Sequence, residues 1–471
     1  EHHRLVCAGL RHDAVNVSPS PMPSPSFRPV LLFLLGLAAI APAAAATVAE
    51  QAVRATIAGV DLVAYQTGVE NVVTLRGSLV AGDAYAPPHN AAIPTLVGEM
   101  LDQGTARRDK FALAQELENV GASLSFEVDG THLKISGRCL ARDLPLVIAL
   151  LAEQLREPAF SAEELEKVKT QLSGDLQRAL EQPDYRAEVA FAREIYPEGH
   201  PNRPETTEAF IAAVNRATVD DLRAFHREHY GPAGLVLVAV GDLDAADLQA
   251  EVARAFAGWS GGRSPATVPP APALPTSADR TVAMADKPSV SVIWGQPTRL
   301  AYRDRDTLAL RVATNILGSG FTGRLMASVR DREGLTYGIY AAVMNDTSTD
   351  GDWRIVANFS PALLDQGLAS TRRELEAWYR DGVTAEEVER EKSNYVGTFR
   401  VSLATTGGMA ASLLASIQRG YGVTWPDELP RRIAALTTEE VNAALRKHLD
   451  PNRLVLVKAG SVAPPATPAQ P

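Results

Sequence analysis

Within the stretch 318–340, GSGFTGRLMASVRDREGLTYGIY, an arginine and a tyrosine stand seven residues apart, Arg330 and Tyr337. A guanidinium presents a fixed fork of N–H donors and a phenol presents one O–H, so the two together can direct donors at one point. The flanking residues say how they are held. The spacing predicts a short amphipathic helix over 324–332, with Leu325 and Val329 on its buried side and Ala327 beside them. Gly334 is placed to end that helix, because glycine accepts the left-handed conformation a C-terminal cap requires. The alternation Leu335, Tyr337, Ile339 then predicts a strand. Arg330 falls near the helix end and Tyr337 just inside the strand, across a tight turn. By spacing alone the pair reads as a surface arginine and a half-buried tyrosine.

The surrounding pattern is more specific. G-x-G-x-x-x-R-L followed by R-x-x-E-G-L-x-Y resembles the C-terminal half of the inverzincin (pitrilysin, insulinase, mitochondrial processing peptidase) family. In that family the arginine and tyrosine of the motif reach a zinc site built elsewhere and hold the substrate near the scissile carbonyl. Arg330 and Tyr337 match that pair. The zinc motif itself is H-x-x-E-H on a helix of the N-terminal half, joined by a glutamate about 75 residues on. Two imidazoles four apart share one helix face, and the glutamate beside the second activates the water in the open position.

In this chain the family's helix ending is Met100-Leu101-Asp102-Gln103-Gly104-Thr105. Counting back, the histidine positions hold Thr95 and Glu99, and the catalytic glutamate position holds Gly98. The downstream ligand region falls near Gly174-Asp175. Neither Thr95 nor Gly98 can do the required chemistry. The resemblance therefore implies a chain with no zinc of its own, whose partner is a homologous H-x-x-E-H subunit carrying the zinc. Such a chain closes the chamber, helps bind an extended peptide and lends Arg330 and Tyr337 to the partner's zinc centre. The alternative within the same fold is an inert scaffold or assembly subunit.

Other chemistry finds no footing. His226-Arg227-Glu228-His229 has its histidines three apart and fits neither zincin order, and the repeat described below puts Leu445 at the position of His226. His200, in Glu-Gly-His-Pro, reads as a turn residue, and His89 and His132 have no partners at useful spacing. There is no G-x-S-x-G elbow, no phosphate-binding glycine loop and no dinucleotide fingerprint. Cys139 falls in a predicted strand and reads as core. With Cys7 as the other cysteine, neither a disulfide framework nor a cysteine zinc site is available.

The chain has 471 residues with a net charge of −10 and no basic stripe, which disfavours a nucleic-acid partner. From Met22, the run MPSPSFRPVLLFLLGLAAIAPAAAA has a positive Arg28, an apolar core from Val30 to Ile40 and small residues at Ala43–Ala46. This is a secretory leader with cleavage near Ala46, and residues 1–21 read as an extension upstream of it. The apolar run is short for a membrane span, so no stable anchor is expected after cleavage. The expected location is periplasmic or secreted.

Beyond the leader the chain alternates strands and helices. Strands are expected at Val60–Tyr65, Asn71–Val80 and Leu235–Val240, with a hairpin from Ser123–Val128 and His132–Arg138. Helices are expected at Ala92–Leu101, Phe111–Val120, Leu144–Leu155, Ala162–Glu181 and Thr218–His229. Thr218–Gly241 aligns without a gap to Thr437–Gly460, a constant offset of 219 (437 − 218), and Leu-Val-Leu-Val recurs in both. AEELEKVK from Ala162 returns as AEEVEREK from Ala385. The repeat defines an α+β fold of two homologous halves, each a mainly antiparallel sheet packed with helices, joined by a linker into a clamshell. The expected bounds are 47–257 and 282–462 for the halves and 258–281 for a Pro-, Gly- and Ser-rich linker, with a disordered tail at 463–471.

Overall fold

The computed structural model describes residues 46–274 and 276–462. The leader up to residue 45 and the tail at 463–471 lie outside the described residues. Among those described, strands form two sheets. The first holds β1 (Ala52–Ile57), β2 (Val60–Gln66), β3 (Val72–Leu79), β4 (Ser123–Val128), β5 (Leu133–Leu140) and β6 (Val236–Gly241), in the order β1-β2-β6-β3-β5-β4. The second holds β7 (Ala278–Ala283), β8 (Val290–Pro297), β9 (Thr336–Met344), β10 (Asp352–Phe359) and β11 (Val455–Gly460), in the order β7-β11-β8-β10-β9. With β1 set aside, the two orders correspond strand for strand. In each sheet one pair is parallel, β2–β6 and β7–β11, and the remaining pairs are antiparallel.

Five helices matter to the site and its frame: α1 (Ile93–Glu99), α2 (Pro183–Ile195), α3 (Val219–His229), α4 (Thr406–Gln418) and α5 (Thr438–His448). The sequence repeat is a structural repeat at residue level. Helices α3 and α5 are offset by 219 (438 − 219), and β6 and β11 by the same amount (455 − 236). Both helices begin with the same reciprocal cap. The Thr218 hydroxyl accepts from the Asp221 N–H while the Asp221 carboxylate accepts from the Thr218 N–H, and Thr437 and Glu440 repeat this. The apolar run in β6 is buried on both faces, with Leu237 and Ala239 toward one core and Val238 and Val240 toward another. Strand β11 divides its residues in the same way.

Those second faces lock the halves together. Helix α2, from the first half, lies on β8 and β11 of the second sheet and inserts Ala187, Phe191 and Ile195 against Ile293, Val455 and Val457. Helix α4, from the second half, lies on β3 and β6 of the first sheet and places Met409, Ala410 and Leu413 against Val63, Val238 and Val240. Each half thus covers the other's open sheet face with a helix. Unscreened, those faces would expose contiguous apolar surface of the kind that drives association. At the same seam Arg354, itself buried, pairs with Asp352 and with Glu188 of α2, and the Tyr196 hydroxyl donates to Asp352 Oδ2 at 2.9 Å. No helix among the described residues is long and apolar enough to cross a membrane.

Candidate functional site

Arg330 and Tyr337 come together, by local geometry different from that expected. The segment Met326–Arg332 winds as a π-helix, and the Glu333 N–H reaches the Ser328 carbonyl at 3.1 Å. The wider turn changes the angular phase of the side chains. Leu325 and Val329 are buried as expected, but Met326 and Ser328 join them and Ala327 is exposed. Gly334 ends the element at φ 65°, the left-handed cap its position predicted.

Tyr337 is not half-buried: it is 89% exposed. Its neighbours in β9 keep the alternation, with Ile339, Ala341 and Val343 buried. The register explains the difference. Asn358 pairs with Gly338 and Phe359 with Thr336, so Tyr337 is the extra residue of a bulge and has no cross-strand partner. The Thr336 hydroxyl holds the bulge open, donating to the Asn358 carbonyl at 2.6 Å and accepting from the Gly338 N–H at 3.1 Å. Bulges of this kind re-aim a side chain. The result sets the Tyr337 ring beside the Arg330 guanidinium, with Phe321, itself 74% exposed, close to the same group. The glutamate of the R-x-x-E motif is structural. Glu333 accepts from Ser370, Ser328 and Arg373, and these contacts outweigh its burial and hold its pKa below the ordinary value.

The positions matching the zinc motif do not fit a metal. On α1, the Thr95 hydroxyl donates to Asp83 Oδ1 at 2.9 Å and is spent there. A side chain on Gly98 would begin 2.6 Å from Val128 Cγ2, so β4 fills the space a catalytic glutamate would need. Glu99 is exposed at the helix end. Asp175 pairs with Arg178 on the surface of its own helix. Among the described residues no three His, Cys, Asp or Glu side chains are grouped to hold an ion.

Of the other histidines among the described residues, His89 pairs with Asp221 on the surface, while His226, His229 and His200 are packed in the interior. His226 Nε2 bonds the Leu155 carbonyl at 2.8 Å, and His229 stacks on Phe225 at 4.1 Å, where burial pushes its pKa down to about 4. His200 is more than a turn residue. It is buried, stacks on Tyr196 and bonds Asp350 Oδ1 at 3.0 Å across the seam. Cys139 is buried in β5 with its thiol pushed up to about 11, so it is not a nucleophile. Two members of these clusters escape sequence reasoning. Phe321 lies inside the glycine-rich run without a periodic signal. Asp83 has no motif at all, yet burial together with the charge of Asp129 raises its carboxyl to about 7.

This fold, with Tyr337 exposed beside Arg330 and no group of metal-binding side chains among the described residues, is that of a peptidase-like chain. The insulinase (peptidase family M16) model matches residues 62–202, and the peptidase M16 inactive domain model matches residues 216–395. The chain belongs to the M16 peptidase family, and its second half matches the family's inactive-domain model. Curated relatives include an uncharacterized zinc protease of Streptomyces coelicolor, 26% identical over 74% of this chain and 76% of that protein. Another is a non-peptidase homolog, YmxG, of Helicobacter pylori, 23% identical over 79% and 85%. Among solved structures, the peptidase M16 inactive domain from Pseudomonas fluorescens superposes with a TM-score of 0.80 at 24% identity, covering 87% of this chain and 97% of that one.

Proposed function

We propose that this chain is the non-zinc-binding subunit of a heterodimeric, secreted or periplasmic metallopeptidase. It helps bind an extended peptide and supplies Arg330 and Tyr337 to the zinc site of a homologous H-x-x-E-H partner. The observation that carries this reading is the bulge at Tyr337. It holds a phenol 89% exposed beside a guanidinium, an arrangement with no use in packing this chain. Strand β9 lies at the edge of its sheet, so its outer side is open to pairing with an extended peptide. Donors fixed where negative charge develops on a peptide carbonyl are among the stronger catalytic devices, worth about 10²–10³ in turnover for each one lost.

On this reading the halves are 47–257 and 282–462 and the linker is 258–281, except that its last four residues, 278–281, already pair with β11 as part of β7 and so belong to the second half, and the leader ending near Ala46 directs export. The test is reconstitution of the mature chain with a secreted H-x-x-E-H homologue. Peptide cleavage should require both chains, and a mixture no more active than the zinc-bearing chain alone would contradict the proposal. The second reading, an inert scaffold or assembly subunit, is favoured by the likeness to a protein described as a non-peptidase homolog. It predicts that the complex forms but ignores changes at Arg330 and Tyr337.

A further inference from the structure

A cavity of about 1140 Å³ opens where the two halves meet. The β1–β2 hairpin and the end of β3 wall one side, the segment 265–270 covers it, and loops at 299–304 and 347–350 close the other with the end of α4. Its charged lining divides in two. Every carboxylate in the wall is already engaged. Asp61 holds Arg54 through both oxygens at 2.9 and 2.6 Å, and Asp304 Oδ2 takes the Ala301 N–H at 2.8 Å. Asp350 takes His200 Nε2 at 3.0 Å and the Ala271 N–H at 2.9 Å. Three guanidinium groups in the wall, those of Arg299, Arg303 and Arg419, have no carboxylate partner among the described residues.

Arg419 is the fixed member. Its guanidinium carbon lies 3.6 Å from the centroid of Tyr302, and Nε and Nη2 reach Thr347 Oγ1 at 3.4 and 3.2 Å, leaving Nη1 unspent. Burial and the like charge of Arg311 lower its pKa from the ordinary arginine value. The negative charge nearest to hand, Asp346, is already taken by Arg311 at 2.6 Å. A half-buried cation in this position gains by acquiring an anion. Ser78 Oγ, in the wall from the first half, is buried and has no hydrogen-bond partner. The chain as a whole carries −10, so a wall with unpaired arginines runs against the general charge.

We infer that this cavity binds a small polyanion bearing phosphate or clustered carboxylate groups. Arg419, Arg303 and Arg299 are its donors. The guanidinium fork matches both oxyanions, and the volume admits a molecule with several such groups.

The test is calorimetric titration of the full mature chain with inorganic pyrophosphate and, separately, with citrate, at ionic strength held constant with sodium chloride. Saturable binding of pyrophosphate alone identifies a phosphate ligand, and saturable binding of citrate alone a carboxylate one. Arg303→Gln, at an exposed position that leaves the fold intact, should weaken that binding about tenfold, and Arg419→Gln by at least as much. Absence of saturable binding by both probes would overturn the inference. So would unchanged affinity in an Arg299→Gln/Arg303→Gln variant that melts with the wild type.

Discussion

The Arg330 guanidinium carbon lies 5.3 Å from the ring centroid of Tyr337 and 5.3 Å from that of Phe321, so the arginine is steadied by two exposed rings. An aromatic face beside a guanidinium is worth about 0.5–1 kcal/mol at an exposed site. Phe321→Ala should therefore loosen Arg330 without harming the fold. In steady-state cleavage by the assembled complex, KM should rise roughly two- to fivefold with kcat little changed. Unchanged kinetics in the intact complex would show that Phe321 does not position the pair.

At Gly98, helix α1 is packed tightly against β4. Gly98→Ala directs a methyl into Val128 and should cost about 1–3 kcal/mol, read from the urea midpoint. Val128→Ala removes the obstacle, so the double variant should lose at least about 0.5 kcal/mol less than the sum of the two single losses. Strict additivity would mean that Val128 is not what fills the site.

Asp83 gives the fold a pH signature. Its folded value of about 7 stands above the unfolded carboxylate value of about 3.9, so the folded state holds more protons between the two. Stability from this group is full below the unfolded value and is lost as pH rises through the folded one. Asp83→Asn still accepts from Thr95 but cannot ionise. Its stability relative to wild type should grow by roughly 2–4 kcal/mol between pH 4 and pH 8, measured by urea unfolding. Parallel curves for the two proteins would contradict the burial argument.

Much of this architecture is legible in the chain because the repeat is so regular. The constant offset and the Leu-Val-Leu-Val runs mark α3 with β6, and α5 with β11, before any coordinate is known. Gly334 is legible because few other residues take its conformation without cost. The departure from the zinc motif is legible because Thr95 and Gly98 are not metal-binding or proton-transferring side chains. The rest is hidden for identifiable reasons. A π turn and an α turn begin with the same residues, so the phase that buries Met326 and Ser328 and exposes Ala327 cannot be counted out. The bulge at Tyr337 depends on how Thr336 and Gly338 meet Asn358, a contact across 22 positions of sequence (358 − 336). The exchange of α2 and α4 is hidden because periodicity tells which face of a helix is apolar, not which sheet it will cover.

The central claim is that the exposed phenol of Tyr337 acts on a substrate bound in trans. Tyr337→Phe keeps the ring beside Arg330 and removes one hydroxyl that is in solvent, so assembly and stability should be unchanged. Peptide cleavage is measured under steady-state conditions with the zinc-bearing partner present, alongside a direct measure of complex formation. A fall in kcat of about 10²-fold with KM nearly constant is the expected result, because the donor is used as charge develops. Wild-type kcat and KM in an intact complex would contradict the claim and leave this chain the role of scaffold.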